Sequence, residues 1–317
     1  MRMSLQIQHT SLLSIIVDSG RPRMMHCGVT PSGPMDWFAF NINNRLLSNP
    51  SNSACIEIHQ GSFNIVASTP CTIAISGVGV IAKVNDQTID TWRAFAVERG
   101  DTISVATTEN GKIGYLGVKG GIDAPVACGS RSTVMREHLG GLDNQGKPLA
   151  VGDILKVKPA VAEKHGIDAA QDVLSELLDN VYRPRPIRVS TGNQHQLLGR
   201  KAWLTFLNGE YKITAEHSRM GTRLAGPVIS NKLVSMRSEG LVEGTIQVPP
   251  NGQPIIMNAD HQTMGGYPKI ANVCRVDLPL LASLPISANI TFIECDTARA
   301  RFLIQHLVRQ IDDCFYL

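Results

Sequence analysis

The stretch SFNIVASTPCTIAISG, residues 62–77, sets the reading of the whole chain. Phe63, Ile65 and Ala67 alternate with polar neighbours, Pro70 marks a turn, and Ile73, Ala74 and Ile75 run into Ser76 and Gly77. Alternation with a period of two is the mark of a half-buried strand, and the proline marks a turn before the next strand. The same grammar continues outward in TISVATT, KIGYLGV, GTIQVPP, QPIIMNA and NITFIEC. A mainly β protein with few helices follows. Helical spacing is confined to MDWFAFNINNRLLSN, DAAQDVLSELLDNVY and the terminal TARARFLIQHLVRQIDD. The apolar patch from Leu12 to Val17 is short and leads into Asp18, so it reads as a strand and not as a leader.

Composition narrows the class of function. Hydrophobic residues make up 43% of the 317 positions and charged residues 18%, the balance of a folded globular protein. A net charge of +3 without a basic run argues against nucleic acid, and no segment reaches the roughly 18 apolar residues of a spanning helix, which argues against a membrane. Seven scattered cysteines without a CxxC pair point to neither a disulfide framework nor a zinc site, and the expected compartment is the cytoplasm. No metal is implied by nine dispersed histidines. Phosphate-loop, dinucleotide and GxSxG patterns are absent from the sequence.

The order of signals in the first half recurs in the second. SGPMD, Glu57, Gly61 and the strands of residues 62–77 are echoed by SRMGTR, Glu239, Gly244, GTIQVPP and IIMNAD. Two related domains are therefore expected: residues 1–160, a partly helical linker over 161–185, and residues 186–317 ending in a helix.

Four loops combine glycine with polar and charged residues: 18–36, 129–141, 216–226 and 258–270. Three contain arginine beside Ser, Thr or Gly, a composition suited to gripping an anion with guanidinium and backbone N–H groups. For any single loop, a solvated turn explains the composition equally well. Asp18, Asp36, Glu57, Glu239 and Asp260 are the carboxylates beside these loops, and they are candidates for proton transfer or for capping turns.

Taken in order, DSGR, GVTPSGPMD, GGID, GSRST, SRMG, SEG, IQVPP and QTMGGYPKIA resemble the biotin-dependent carboxyltransferase-like family, also described as allophanate hydrolase subunit 2. The resemblance covers about residues 10–295, and within the family it is nearest to the C subunit of the ATP-dependent 5-oxoprolinases. It implies two tandem cyclophilin-like β-barrel domains. It also implies a subunit-1-type partner of kinase-inhibitor-like kind, a third 5-oxoprolinase subunit, ATP shared with the partner, and a small cyclic amide as substrate. Biotin is not expected in this chain. Regulation of a kinase inhibitor by binding, or carboxyl transfer in a urea carboxylase-like system, are the family's other roles. Departures from the family pattern fall at Pro22 and Arg23 after DSGR, at Met264 in QTMGGYP, at His261, and at residues 190–194, STGNQ.

Opening a cyclic amide requires a clamp for charge on oxygen and a base for nitrogen. On this expectation the four loops converge on a planar N–C=O group. Glu57, Glu239, Asp260 and Lys269 would carry the proton and charge chemistry. Arg21, Ser32, Arg131, Ser132, Arg219, Gln262, Thr263, Gly265, Gly266 and Tyr267 would hold the substrate, with Arg131 or Arg219 as the anion clamp.

Overall fold

The computed structural model describes residues 4–108, 112–158, 170–231 and 236–315. The fold is mainly β and divides into two compact units, one formed by residues 1–22, 32–179 and 311–317, the other by residues 23–31 and 180–310. Part of the expected linker, residues 161–169, lies outside the described residues; the helix Gln171–Tyr182 belongs to the first unit through Asp179 and to the second from Asn180.

In the first unit the stretch at residues 62–77 forms the strands Ser62–Ala67 and Cys71–Ser76, but they do not pair with each other. Ser62–Ala67 lies between Ser4–His9 and Thr102–Thr107 in a six-stranded sheet, whereas Cys71–Ser76 lies between Ile113–Val118 and Arg93–Val97 in a five-stranded one. The turn at Pro70 thus passes the chain from one sheet to the other. Leu5, Ile7, Phe63, Ile65 and Val105 from the first sheet meet Ile16, Ile56, Ile58, Ile73 and Ile75 from the second in one core, all at 1% exposure or less. The helix Trp37–Leu46 is capped by Asp36, whose Oδ1 accepts from the N–H groups of Phe38 (3.1 Å) and Ala39 (2.9 Å).

The second unit is built on an eight-stranded sheet whose edge strands are Asn289–Ile290 and Phe292–Glu294. Those two edges are separated in the chain by Thr291 alone, so the sheet must curl round until its edges meet. This makes it a nearly closed barrel and leaves little strand edge unprotected. The closure is filled by aromatic rings: Phe206 stacks on Phe292 at 4.5 Å, and Tyr211 lies 5.8 Å from Phe292. Phe206 comes from the helix Arg200–Asn208, which the sequence reading did not anticipate. A separate pair, Glu239–Gly240 with Met264–Gly265, carries the polar loop alongside the barrel.

Candidate functional site

Within each unit, two of the polar loops meet. In the first unit the carboxylate of Asp18, 4% exposed, gathers the 129–141 loop. Its Oδ1 accepts from Ser132 Oγ (2.7 Å), from the Gly20 N–H (3.0 Å) and from Ser130 Oγ, and its Oδ2 accepts from the Arg131 N–H (2.6 Å). Arg21 is 1% exposed and donates to the carbonyls of Ser132 (2.5 Å) and Ala127 (3.2 Å). Buried guanidinium donors aimed at backbone carbonyls hold a loop in shape. A methyl on Gly140 would lie 2.0 Å from the Ser132 carbonyl and 2.6 Å from the Arg21 guanidinium. Arg131 donates Nε–H to the Ala124 carbonyl at 2.8 Å and keeps a side chain 21% exposed. Ser132 is fully buried, and Ser32 adopts a left-handed φ of 55°.

Glu57 belongs to the strand Cys55–His59 and has no exposure. Its Oε2 accepts from the Met35 N–H (2.8 Å) and the Tyr115 hydroxyl (2.7 Å), and its Oε1 pairs with His59 Nε2 at 2.7 Å. Tyr115 stays protonated as a donor because burial, then the charges of Glu57 and Asp36, push its pKa up. The Tyr115 hydroxyl in turn accepts from the Asp36 N–H at 2.9 Å, so Glu57 anchors the SGPMD turn. Replacing Glu57 by Gln, which removes the charge from the buried bonds with Met35 and Tyr115 and forces His59 to change its role, should cost about 1–3 kcal/mol of stability; urea denaturation of the two proteins measures it. Glu239 does not share this setting despite its matching place in the repeat, since its side chain is 42% exposed.

In the second unit, Arg219 and Asp260 form a buried bidentate pair, Nε to Oδ2 at 2.9 Å and Nη2 to Oδ1 at 2.8 Å, with side-chain exposures of 3% and 8%. The Asp260 N–H also donates to the Arg219 carbonyl at 2.7 Å, so the 216–226 and 258–270 loops are joined twice at one point. Both groups are thereby occupied by each other. His261 is 2% exposed and its Nδ1 lies 2.8 Å from the Gln262 carbonyl. Burial lowers its pKa against the opposing pull of that carbonyl and of Asp260.

Lys269 leaves the loop with its ammonium 2.5 Å from Glu239 Oε2, and Gln194 Nε2 donates to the same oxygen at 3.0 Å. Those two hydrogen bonds, that from Lys269 first, hold the Glu239 carboxyl below its ordinary pKa. Gln194 also accepts the Lys269 backbone N–H on Oε1 at 3.1 Å. It comes from the STGNQ turn, and a methyl on Gly192 would stand 2.3 Å from the Lys269 carbonyl. The atypical turn is therefore fitted to Lys269, a link the sequence reading missed.

The second unit also holds an open cavity of about 430 Å³, which neither Lys269 nor Glu239 lines. One wall is the hairpin of strands Tyr211–His217 and Gly221–Ala225, which contributes His217, Met220 and Arg223; Ile255 and Met257 form another. Gln247, Gln262 and Tyr267 complete it. Of the expected substrate residues, Gln262 and Tyr267 line this space. Thr263 and Gly266 are half-buried in the same loop, and the Thr263 carbonyl accepts the Leu241 N–H at 3.0 Å. Gly265 is required by crowding, because a methyl there would approach Gln247 Nε2 to 2.6 Å and Leu241 Cδ1 to 2.8 Å. Among the described residues no group of three His, Cys, Asp or Glu side chains could hold a metal ion, and no helix is long and apolar enough to cross a membrane.

A model of the carboxyltransferase domain, subdomains A and B, matches residues 27–294. The chain belongs to that carboxyltransferase family. It is 31% identical to the 5-oxoprolinase C subunit of Escherichia coli over 297 residues, 93% of each chain, and 32% identical to its namesake from Haemophilus influenzae over 278 residues, 87% of this chain and 86% of that one. Urea amidolyase of Saccharomyces cerevisiae is 28% identical over 86% of this chain but only 15% of its own length. The solved urea carboxylase of Kluyveromyces lactis superposes with a TM-score of 0.88 at 26% identity, covering 98% of this chain and 29% of that one. This carboxyltransferase-family chain thus matches most of the length of one set of relatives and a segment of the other.

Proposed function

We propose that this chain is one subunit of an ATP-dependent 5-oxoprolinase, opening a five-membered lactam to glutamate together with a subunit-1-type partner and a third subunit. The observation that carries the reading is the correspondence along 93% of both chains with the C subunit of 5-oxoprolinase. ATP is a co-substrate whose terminal phosphoryl group activates the amide oxygen, and it is shared with the partner. The cavity of the second unit holds the planar N–C=O group, with Tyr267 and Met257 against its faces and Gln262 at its edge. Lys269, paired with Glu239, supplies positive charge from the same loop, and Glu239, whose carboxyl is held below its ordinary pKa, serves as proton acceptor.

Co-expression with the two partner subunits, followed by assay of glutamate released from 5-oxoproline with and without ATP, tests the reading. ATP-dependent release that requires this chain is expected; its absence in the assembled complex overturns the proposal. In that assay Lys269→Ala should lower kcat/KM by about 10²–10³, as the loss of one charge-stabilising group does. An unchanged value removes Lys269 from the mechanism.

The superposition on urea carboxylase supports a second reading, carboxyl transfer to a urea-like acceptor. Carboxylation of urea from a carboxybiotin carrier, in place of glutamate release, would favour it. Association with a subunit-1-type protein without turnover of either substrate would favour regulation of a kinase inhibitor by binding.

A further inference from the structure

Gln247 ends the strand Thr245–Gln247 between Ile246 and Val248, which have no exposure, and it is itself 1% exposed. A carboxamide so placed destabilises a core unless its polar atoms find partners. Its Nε2 donates to the Tyr267 carbonyl at 3.3 Å, which fixes the orientation of the amide. Its Oε1 accepts no hydrogen bond among the described residues, although the side chain lines the cavity. Gln262 lines the same cavity, and its carboxamide likewise has no protein partner among the described residues. The two amides meet over one glycine: a methyl on Gly265 would lie 2.6 Å from Gln247 Nε2 and 3.2 Å from Gln262 Nε2. Met220, Met257, Ile255 and Tyr267 supply apolar surface around them.

Gln247, with its nitrogen engaged by the Tyr267 carbonyl, keeps an acceptor oxygen, and Gln262, with neither end of its carboxamide bonded among the described residues, can turn a donor toward a ligand; both side chains line the cavity among apolar residues. The chemical group complementary to that arrangement is a flat cis-amide or cyclic urea, whose N–H and C=O project from one edge. We propose that Gln247 and Gln262 form an amide-reading pair, in which Gln247 Oε1 accepts the ligand N–H and Gln262 Nε2 donates to the ligand carbonyl. This deepens the proposed function by making Gln247 the residue that selects a lactam over its oxygen analogue. A site built around a substrate N–H discriminates strongly against the analogue lacking it, because the protein acceptor is then left buried and unmatched.

Titration calorimetry of the full chain with 5-oxoproline and with the lactone acid in which ring N–H is replaced by oxygen tests the pair. The wild-type protein is expected to bind the lactam roughly tenfold or more tightly than the lactone. Gln247→Met, close in shape but without the acceptor, should bring the two affinities within about twofold. Gln262→Met should weaken both ligands alike, because both retain the carbonyl. Equal wild-type affinities, no binding of either ligand, or a lactam preference that survives Gln247→Met would each overturn the proposal. The wild-type comparison needs no variant and stands even if a substitution impairs folding. Lactam preference without turnover in the complex would sink the 5-oxoprolinase reading and leave the pair; turnover without lactam preference would do the reverse.

Discussion

Arg219→Ala is expected to destabilise the second unit by about 3–5 kcal/mol, the cost of removing one partner from a buried ion pair. The carboxylate of Asp260 is 8% exposed, and both Arg219 donors that reach it would be lost together. What remains is a buried charge with too little solvent to replace the guanidinium, at the point where two loops beside the cavity are joined. Thermal and urea denaturation of wild type and variant measure the loss. The double variant Arg219→Met with Asp260→Leu is expected to regain much of the lost stability, since it removes both charges and leaves apolar volume in their place. A single variant as stable as wild type would show that Asp260 finds other partners.

The second large effect is at Asp277, which has no side-chain exposure and collects two arginines. Arg185 Nη2 reaches its Oδ1 at 2.7 Å, while Arg188 reaches the same oxygen through Nη2 at 2.5 Å and Oδ2 through its backbone N–H and Nε, each at 2.8 Å. Burial alone would raise this carboxyl's pKa, but the hydrogen bonds from Arg188 and then Arg185 outweigh it and the net shift is downward. A lowered folded pKa makes the sign of the pH dependence definite. The contribution is complete above the unfolded carboxyl value of about 3.9 and disappears as pH falls through the lower folded value. Asp277→Asn keeps the shape but removes the charge. It should cost about 3–5 kcal/mol at neutral pH and flatten the acid limb of stability against pH, which denaturation midpoints between about pH 2 and 7 would reveal.

The strands were legible because alternation is a property of the chain itself. Phe63, Ile65, Ile73 and Ile75 face one core as their period requires. The partner of each strand was not legible: the turn at Pro70 suits a hairpin, yet it joins different sheets, a choice made by long-range packing. Two of the unread helices have evident reasons. Arg200–Asn208 buries only Ala202 and Phe206 and has no side-chain cap, while Leu278–Ser283 is buried from Leu278 through Ala282 and so shows no periodicity.

The polar loops could be found by composition, but composition cannot distinguish an arginine that faces a ligand from one that faces the backbone. Arg21 and Arg219 read alike in the sequence; one is turned onto carbonyls and the other onto Asp260. Gln247 escaped notice because it lies inside an apolar strand. Its signal was available there: an amide between Ile246 and Val248 must be matched by something, and the loop at Tyr267 together with the cavity supplies the match.

On the proposed function, the planar amide is held in the cavity of the second unit. Methyl-carbon NMR of methionine-labelled protein titrated with 5-oxoproline tests this most directly, because Met220 and Met257 line that cavity while Met35 and Met135 belong to the first unit. Saturable shifts of Met220 and Met257, with Met35 and Met135 unmoved, are the predicted result. Shifts confined to Met35 or Met135, or no shift at Met220 and Met257 at saturating ligand, would contradict it.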